Sequence, residues 1–425
     1  MRVAILTPWP DQPTGIADYS YDLVGGLVRQ GMKVSVFTDC RNDDHLRPAP
    51  PGVPLCDQRA FDRVAHRFDE IVFQLGNNPY FHSWMIPLIQ RYEGVIHLHD
   101  LALQHLFGGL TFAKGDTGGY LNLIGRWYGE TVRSDVAQLL ALRAYPWQLR
   151  IVMDLPLFEE VVQYACACVV HSGFAATRVS GAFPDLPMFT VSQLYDLPPR
   201  TPQPSDPILR IGVFGGVARN RHVDQVIWAV AAACASARRS TELHIVGDTA
   251  PDCVDLLGKA INAAANRQLQ VVTHGRVSGD DFHHLMQSCG LVVSMRFPTM
   301  GETSAVVVKA MQYGIPCIVT DIGWYAELPD LVHKVRHDHM ADDLIVEIQR
   351  WVENDTQRAQ WAEECLDYAA KFLDFDAAVR RYSEFLGAIK WCHDPFIKPL
   401  AETMCSIGLV NPENHLLASI SGKFN

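Results

Sequence analysis

The chain has 425 residues, of which 48% are hydrophobic, 20% charged and 10% aromatic. At roughly 150 residues per domain this length predicts two to three domains, and the composition excludes a disordered or fibrous chain. Thirty-six basic and 47 acidic side chains give a net charge of −11. A chain this acidic is not expected to bind nucleic acid, which requires a basic surface.

Cysteine usage and hydropathy indicate the compartment. The eleven cysteines are spread along the chain without paired CxxC elements of zinc-ribbon spacing, which predicts buried free thiols in a reducing environment. The N-terminal apolar run is too short for a signal peptide, and no stretch reaches the roughly 18 apolar residues of a membrane span. We expect a soluble, cytoplasmic protein, and peripheral contact with the inner membrane face stays open.

The first half alternates short apolar runs with helical patterns. Apolar residues at helical spacing predict a helix over 15–30 that ends at Gly31. Strands are predicted at 2–6, 33–38, 71–75, 95–98 and 168–171. Strands that alternate with helices favour an α/β domain over 1–197, built on a parallel sheet with helices on both faces.

The Pro-rich run at 198–207, PPRTPQPSDP, is the predicted linker, after which the alternation restarts. Strands are predicted at 209–214, 243–246, 269–273, 291–294 and 317–320, and helices near 223–237, 252–265, 280–288 and 303–313. A second doubly wound domain over 208–372 follows, and 373–425 is predicted as a C-terminal helix and tail.

In doubly wound sheets, ligands bind beyond the carboxyl ends of the strands. The first such loop, over 7–20, carries Gly15, where a glycine lets the backbone approach a ligand and the helix start favours an anion. Asp18 is a possible polar contact. The alternative is an ordinary glycine at a helix start.

The second loop follows the predicted strand at 95–98 and reads His97-Leu98-His99-Asp100. Histidine beside aspartate is suited to hydrogen bonding with a polar substrate. We expect the two histidines to point to opposite faces, so that only one faces the cleft. No metal is expected, because the usual supporting ligands are absent nearby in the sequence.

The third loop, GGVARNRH, places Gly216, Arg219 and Arg221 between a strand and a helix. Backbone N–H groups, the helix end and two guanidinium groups would suit a phosphate. The loop is neither a GxGxxG nor a Walker A motif. The alternative is a pair of solvated surface arginines.

The fourth loop, at 296–304, carries the strongest pattern and ends in Gly301, Glu302, Thr303 and Ser304. The two hydroxyl residues can cap the following helix, whose free N–H groups would face a diphosphate. Glu302 could accept hydrogen bonds from sugar hydroxyls.

The segment MGETSAVVVKAMQYGIPCIVTDIGWYAELPD resembles the nucleotide-binding segment of family-4 retaining glycosyltransferases. The resemblance extends to PTGIADYS, HLHD, VVHSGF around His171, and GGVARNRH, in order over most of 1–390. It implies the GT-B fold, in which two Rossmann-like domains face each other across a cleft and the C-terminal segment returns to the first domain.

The resemblance also implies roles for individual residues. Gly15 would lie near the donor diphosphate, and His99 would contact the transferred sugar near its anomeric centre. The predicted catalytic residues are His99, Arg221 and Glu302. The predicted donor-binding residues are Gly15, Gly216, Arg219, Arg221, Gly301, Glu302, Thr303 and Ser304. Further candidates are Asp18, Asp100, His171, Lys309 and Tyr325.

The sequence departs from the family at the second glutamate, which usually binds the ribose. Eight residues after Glu302 stands Ala310, and Lys309 takes the position if AMQYG sets the register. The ribose contact is therefore open, with Asp321, Tyr325 and Glu327 as nearby candidates.

The loops together with the resemblance imply retaining transfer of a hexose-type sugar from a UDP- or GDP-sugar to a glycan, lipid-linked or small-molecule acceptor in polysaccharide or glycoconjugate biosynthesis. Neither a cofactor nor a metal is expected, because two cations and a helix end would neutralise the diphosphate. The alternatives are an inverting GT-B transferase, a sugar-nucleotide epimerase, or a non-catalytic subunit that binds nucleotide sugars.

Residues 108–150 form a predicted helical insertion that contains five Tyr or Trp and four Arg: Tyr120, Trp127, Tyr128, Tyr145, Trp147, Arg126, Arg133, Arg143 and Arg150. It is either an ordinary insertion with a solvated basic face or a lid that touches the acceptor or anionic lipid.

Overall fold

The computed structural model describes residues 1–40, 46–200, 208–235, 239–265 and 269–393. Internal contacts divide the chain into two units. Unit 1 comprises Met1–Tyr195, Met300–Thr303 and the chain from Phe375 onward, and unit 2 comprises Asp196–Thr299 and Ser304–Asp374. Most of the predicted linker, 201–207, and the predicted tail, 394–425, lie outside the described residues.

Unit 1 contains a seven-stranded parallel sheet in the order β3-β2-β1-β4-β5-β6-β7. The strands are β1 (Arg2–Leu6), β2 (Lys33–Thr38), β3 (Leu55–Asp57), β4 (Glu70–Leu75), β5 (Gly94–Leu98), β6 (Ala165–Val170) and β7 (Met188–Thr190). β1 pairs with β2 on one side and β4 on the other, so the strand order reverses between β1 and β4. This reversal is where doubly wound sheets bind ligands.

The helices of unit 1 cover this sheet. They are α1 (Gly15–Arg29), α2 (Phe61–Val64), α3 (Pro79–His82), α4 (Ile86–Ile89), α5 (Gln104–Leu110), α6 (Thr117–Tyr128), α7 (Glu130–Ala141), α8 (Glu159–Val162) and α9 (Gly173–Ala182). The side chain of Thr14 caps α1 by accepting a hydrogen bond from the Ile16 amide, and Leu23 and Leu27 are buried on its inner face.

Unit 2 contains a six-stranded parallel sheet in the order β10-β9-β8-β11-β12-β13. Its strands are β8 (Leu209–Phe214), β9 (Thr241–Val246), β10 (Leu269–Gly275), β11 (Leu291–Ser294), β12 (Cys317–Thr320) and β13 (His333–Val335). Its helices are α10 (Val223–Cys234), α11 (Val254–Ala263), α12 (Gly279–Ser288), α13 (Ala305–Gln312), α14 (Met340–Glu353) and α15 (Asp355–Phe372). The strand order reverses between β8 and β11.

The last helix, α16 (Phe375–His393), belongs to unit 1 and packs against α1. The backbone of Gly26 on α1 lies so close to Val379 that a Cβ there would overlap the valine methyls. Arg29 and Asp376 form an ion pair at 3.1 Å beside this contact.

The predicted alternation of strands and helices is confirmed, and both units are Rossmann-like α/β folds. The sequence missed β3, β7 and β13, because three residues at a sheet edge are too short to show a period. β6 begins three residues earlier than predicted and ends before His171. Among the described residues, no helix is long and apolar enough to span a bilayer, and the nine cysteines whose side chains are described are free thiols.

Candidate functional site

In unit 2, the loops after β8 and β9 lie against each other at the carboxyl edge of the sheet. Gly215 has φ +90° and Gly247 has φ +143°, and a Cβ at Gly247 would overlap the carbonyl oxygen of Gly215. The amide of Gly215 donates to Val246 and that of Val217 to Asp248, both at 2.8 Å. Only glycine fits this approach without strain, and the adjoining Gly216 stays exposed to solvent.

Arg221 lies near the end of this loop, and its side chain folds back over the first residues of the loop. Nη1 of its guanidinium donates to the carbonyl of Phe214 at 2.9 Å, and the guanidinium packs over the backbone of Gly215. Arg219 is placed differently, since its Nε donates to the carboxylate of Asp252 at 2.6 Å and its side chain is largely exposed. This arginine lowers the pKa of Asp252 through their hydrogen bond. Of the two predicted phosphate ligands, Arg221 is fixed on the glycine turn and Arg219 is neutralised by a neighbour.

The loop after β8 is joined to the loop after β11. The amide of Phe297 donates to the carbonyl of Asn220 at 2.8 Å, and Nε2 of His222 donates back to the carbonyl of Phe297 at 2.8 Å. His222 adopts the left-handed conformation, with φ +48°, as it leads into α10. Two of the four predicted loops therefore form one connected surface at the strand reversal of unit 2.

The fourth loop leads into α13. Ser304, and not Thr303, is the N-cap, because its Oγ accepts a hydrogen bond from the amide of Val307 at 3.3 Å. Ser304 is buried and Thr303 is half-buried. The helix starts at Ala305, two residues later than predicted, so the backbone N–H groups of its first turn lie beside this loop.

Residues Met300–Thr303 belong to unit 1 and lie beside the loop that follows β5. The carbonyl of Met300 accepts a hydrogen bond from the amide of Ala102 at 2.8 Å, and Gly301, at φ +71°, packs on Leu101. The carboxylate of Glu302 accepts from the amide of Met300 at 2.6 Å. The loop after β5 and the backbone of Met300 and Gly301, about 200 residues apart in sequence, are thus neighbours within unit 1.

Two further predicted residues lie inside unit 2. Lys309, on α13, is 8% exposed, and its Nζ lies 5.4 Å from the ring centre of Phe282. An ammonium group donates but cannot accept, so it cannot replace a carboxylate that accepts hydrogen bonds from ribose hydroxyls. Tyr325 is fully buried, in the turn after β12.

In unit 1, Gly15 is the first residue of α1 and is exposed, as is Asp18 one turn further on. Asp100 is half-buried, and its Oδ2 accepts a hydrogen bond from the amide of Asn77 at 2.7 Å. Asn77 in turn binds the amide of His105 through its Oδ1 at 2.8 Å. Asp100 therefore fixes the loop after β4, at the strand reversal of this sheet.

The two histidines of β5 do not point to opposite faces, and that prediction is wrong. His97 and His99 are two residues apart, and side chains at that spacing share one face of a strand. Their rings are stacked with centres 4.5 Å apart, and both reach His171 after β6. All three are buried, with exposed fractions of 0%, 6% and 6%.

Both ring nitrogens of His99 have protein partners. Nε2 lies 2.6 Å from Oε1 of Gln74, and Nδ1 lies 3.1 Å from Nε2 of His171. Burial lowers the pKa of His97 and His99 far below the usual range and that of His171 to about 4. The histidines are therefore uncharged near neutral pH, and the contact of His99 with the transferred sugar stays a prediction.

The insertion at 108–150 consists of α5, α6 and α7 with short turns. The side chains of Tyr145 and Trp147 stack with ring centres 5.1 Å apart. Arg126 pairs with Glu160 at 3.0 Å, and Arg133 pairs with Glu130 at 3.1 Å. Acidic partners thus offset two of the four arginines that would make a basic face.

Sequence reasoning missed several residues that shape these sites. Gly247 directly follows the predicted strand at 243–246, and a glycine at the end of a strand could have indicated a further loop of the site. Gln74 and Tyr382 gave none, because their partners are distant in sequence: Gln74 binds His99, and the hydroxyl of Tyr382 on α16 lies 3.1 Å from Nδ1 of His97.

Comparison with known proteins identifies the second unit. The family model of glycosyl transferases group 1 matches residues 209–354, from β8 into α15. Residues 209–354 are a glycosyltransferase group 1 domain. The glycine turn, Arg221 and the capped α13 all lie within this group 1 domain.

Comparison with solved structures establishes the fold beyond residues 209–354, over about nine-tenths of the chain. Anabaena Alr3699/HepE in complex with UDP-glucose is 17% identical, with a TM-score of 0.60 over 91% of this chain and 100% of the other. WaaG, a glycosyltransferase involved in lipopolysaccharide biosynthesis, is 14% identical, with a TM-score of 0.60 over 90% and 99%. Sucrose-phosphate synthase from Thermosynechococcus elongatus is 13% identical, with a TM-score of 0.57 over 90% and 98%. By sequence, no curated protein matches the chain. The predicted GT-B class is confirmed, and the chain contains a glycosyltransferase group 1 domain.

Proposed function

We propose that this glycosyltransferase transfers a hexose-type sugar from a nucleotide-sugar donor, with retention of the anomeric configuration. One observation carries the proposal. The glycine turn at Gly215 and the loop after β11 are hydrogen-bonded together where the strand order of the group 1 domain reverses. Arg221 lies on one of these loops and the capped start of α13 on the other.

In the proposed reaction, this surface has to stabilise the leaving diphosphate. In the transfer, the bond from the anomeric carbon to the diphosphate oxygen breaks and its electron pair stays on the diphosphate. The acceptor oxygen forms the new bond from the same face, and its proton passes to the diphosphate. Negative charge therefore grows where Arg221 and the N–H groups of α13 can bind it.

Each remaining residue has a supporting part. Glu302, whose carboxylate already accepts one amide hydrogen bond, is proposed to accept further bonds from sugar hydroxyls. Arg219 would bind the diphosphate by exchanging its partner Asp252 for a phosphate oxygen. Transfer is proposed to need no metal, because guanidinium groups and a helix start neutralise the leaving group.

We propose a UDP-sugar as the donor and a glycan or lipid-linked molecule as the acceptor. The UDP-glucose complex of HepE and the role of WaaG in lipopolysaccharide biosynthesis support these choices by likeness of fold. The acceptor is assigned to the carboxyl edge of the unit 1 sheet, where Gly15 and Asp18 are exposed.

The proposal is tested with purified protein and a panel of UDP-, GDP-, ADP- and dTDP-sugars. Calorimetry measures donor binding, and proton NMR measures hydrolysis or transfer and the anomer formed. We expect one nucleotide class to bind and to give a retained anomer. An inverted product would make the enzyme an inverting transferase, and tight binding without turnover would make it a binding subunit.

A matched pair of variants separates the site from general effects of lost charge. Arg221→Ala should weaken donor binding, whereas Arg350→Ala removes a half-exposed arginine of α14 that pairs with Glu347 and should not. Equal behaviour of both variants would contradict the placement of the diphosphate.

A further inference from the structure

Unit 1 contains a buried cluster of three imidazoles, formed by His97, His99 and His171 at the carboxyl ends of β5 and β6. One nitrogen of each ring faces the other two rings, and these inner nitrogens all lie within 4.8 Å of one another. The inner atoms are Nε2 of His97, Nδ1 of His99 and Nε2 of His171, with separations of 3.1 Å from His97 to His171 and 3.1 Å from His99 to His171.

The outer nitrogen of each ring is held by a separate group. Nδ1 of His171 donates to the carbonyl of Val191 at 2.9 Å, and Nε2 of His99 donates to the amide oxygen of Gln74 at 2.6 Å. Nδ1 of His97 meets the hydroxyl of Tyr382 at 3.1 Å, and that hydroxyl can accept its proton. A neutral imidazole carries one proton, so His99 and His171 each keep a lone pair on the inner nitrogen, and His97 does too when Tyr382 accepts its proton.

Hydrogen bonds among the three rings cannot satisfy this arrangement. Nε2 of His171 has a single lone pair in the ring plane, yet two other ring nitrogens face it at 3.1 Å. With its own proton on Gln74, His99 presents a second lone pair to that of His171. Two lone pairs at this distance repel unless a positive charge lies between them.

We propose that His97, His99 and His171 bind one Zn²⁺ ion through their inner nitrogens. Zinc–nitrogen bonds of about 2.0–2.1 Å place the ligands of a tetrahedral site roughly 3.3–3.4 Å apart, close to the two separations of 3.1 Å. Three imidazoles without a thiolate or carboxylate suit zinc better than magnesium or calcium, which take oxygen ligands.

The surroundings have the form of a metal site's supporting shell. Metal-bound histidines donate their other N–H to a carbonyl, a carboxylate or water, which fixes the ring and its tautomer. Here Val191, Gln74 and Tyr382 take those positions. The ring of Tyr19 packs edge-on against all three imidazoles, with ring centres 5.1–5.5 Å away, and keeps the site dry.

The ion would have a structural role. Its ligands come from β5 and the residue after β6, and their partners come from the end of β4, from the residue after β7 and from α16. One ion would thereby tie four strand ends and, through Tyr382, the last helix of unit 1. With both ring nitrogens of His99 engaged, by Gln74 and by the ion, this proposal replaces the predicted contact of His99 with the transferred sugar. No step of sugar transfer passes through the ion.

The test uses the full chain without a histidine tag. After chelation and dialysis, the protein is titrated with Zn²⁺ and, separately, with Co²⁺. We expect one ion per chain by mass spectrometry, a rise in unfolding temperature with Zn²⁺, and the visible absorption of tetrahedral Co²⁺ without a band from thiolate ligands. Folded wild-type protein that takes up neither ion stoichiometrically, or a thiolate band from the cysteines, would overturn the proposal.

Variants locate the ion. His171→Gln should weaken Zn²⁺ binding about 100-fold or more, and Gln74→Leu, which removes a supporting partner, about tenfold. His244→Gln is the matched control, because His244 is a buried histidine of unit 2 whose ring nitrogens contact His274 and Glu242 instead. Unchanged binding in His171→Gln would refute the site. If that variant does not fold, the Co²⁺ spectrum of the wild-type protein decides alone.

Discussion

The carboxyl edges of the two sheets differ in chemistry although both sheets are parallel and reverse their order beside the first strand. In unit 2 that edge carries glycine turns, exposed backbone at Gly216 and the guanidinium of Arg221. In unit 1 the ends of β5 and β6 carry uncharged imidazoles covered by tyrosine rings. One architecture thus provides an open edge with exposed backbone and a guanidinium in one unit, and a closed cluster of uncharged side chains in the other.

The largest expected effect is a loss of stability when the glycine turn at the carboxyl edge of the unit 2 sheet is substituted. Gly247→Val would place a branched side chain at φ +143° against the carbonyl of Gly215. Backbone strain and overpacking together should lower the free energy of unfolding by about 4 kcal/mol. Urea unfolding measures this loss. Gly258→Val, at an α11 position with open space around it, is the control and should change the free energy of unfolding by less than about 1 kcal/mol, in the stabilising direction, because glycine is the less favourable helix residue.

The second prediction concerns how the stability of unit 1 depends on pH through His82, a buried histidine at the end of α3. Burial lowers the pKa of His82 to about 3, below the 6.5 expected in the unfolded chain. The unfolded state therefore binds the proton first, so stability is full above pH 6.5 and falls as the pH is lowered. Between pH 7 and pH 4 this one residue should cost roughly 3 kcal/mol.

Urea unfolding of chelated protein across that range measures the loss. His82→Gln should make the profile less steep, since the other buried histidines of lowered pKa still contribute, whereas His66→Gln, at an exposed histidine, should leave it unchanged. An equally steep profile in His82→Gln would show that this histidine is not held uncharged.

The third prediction sharpens the assignment of the two arginines. Arg221→Ala should lower kcat/KM about 100-fold, or about 2.7 kcal/mol, as expected for loss of a group that stabilises transition-state charge. Glu302→Ala should lower it at least about tenfold. Arg219→Ala should have a smaller effect than Arg221→Ala, because Arg219 is exposed and already paired with Asp252.

Steady-state kinetics with the donor found in the panel measures these ratios. Wild-type kinetics in both Arg221→Ala and Glu302→Ala would refute the site. A larger loss for Arg219→Ala than for Arg221→Ala would reverse their roles.

The smallest effect is expected where α16 meets α1. Asp376→Ala removes an exposed ion pair with Arg29, and such pairs contribute about 0–1 kcal/mol. Val379→Ala removes buried methyls that contact Gly26 and should cost more, about 1 kcal/mol or above. Thermal unfolding of the two variants should rank them in this order, and the reverse order would contradict the packing described.

The sequence predicted the parts of the molecule that local patterns determine. Runs such as 2–6 and 209–214 indicated buried strands, and the residues after them indicated Arg221, Glu302 and Ser304 as site candidates. It did not predict that Asp252 would pair with Arg219, nor that Gly247 would meet Gly215. Those contacts join residues more than thirty positions apart, for which one sequence carries no periodic signal.

The histidine cluster shows the same limit more clearly. The HLHD segment supplies two members of the cluster, but the third, His171, lies 72 residues after His99, and Tyr382 lies 285 residues after His97. Only the pairing of β5 with β6 and the return of α16 bring them together. The sequence predicts no metal because no further ligand lies close to HLHD along the chain. The fold brings His171, the residue after β6, beside His99.

The most direct test of the central claim is donor binding and turnover by the wild-type chain and by Arg221→Ala, measured side by side with the same UDP-sugar. We expect wild-type protein to bind the donor and to release or transfer the sugar with its anomeric configuration retained. The variant should keep its fold and lose about 100-fold in kcat/KM. A folded wild-type chain that neither binds nor turns over any nucleotide sugar would contradict the proposed function.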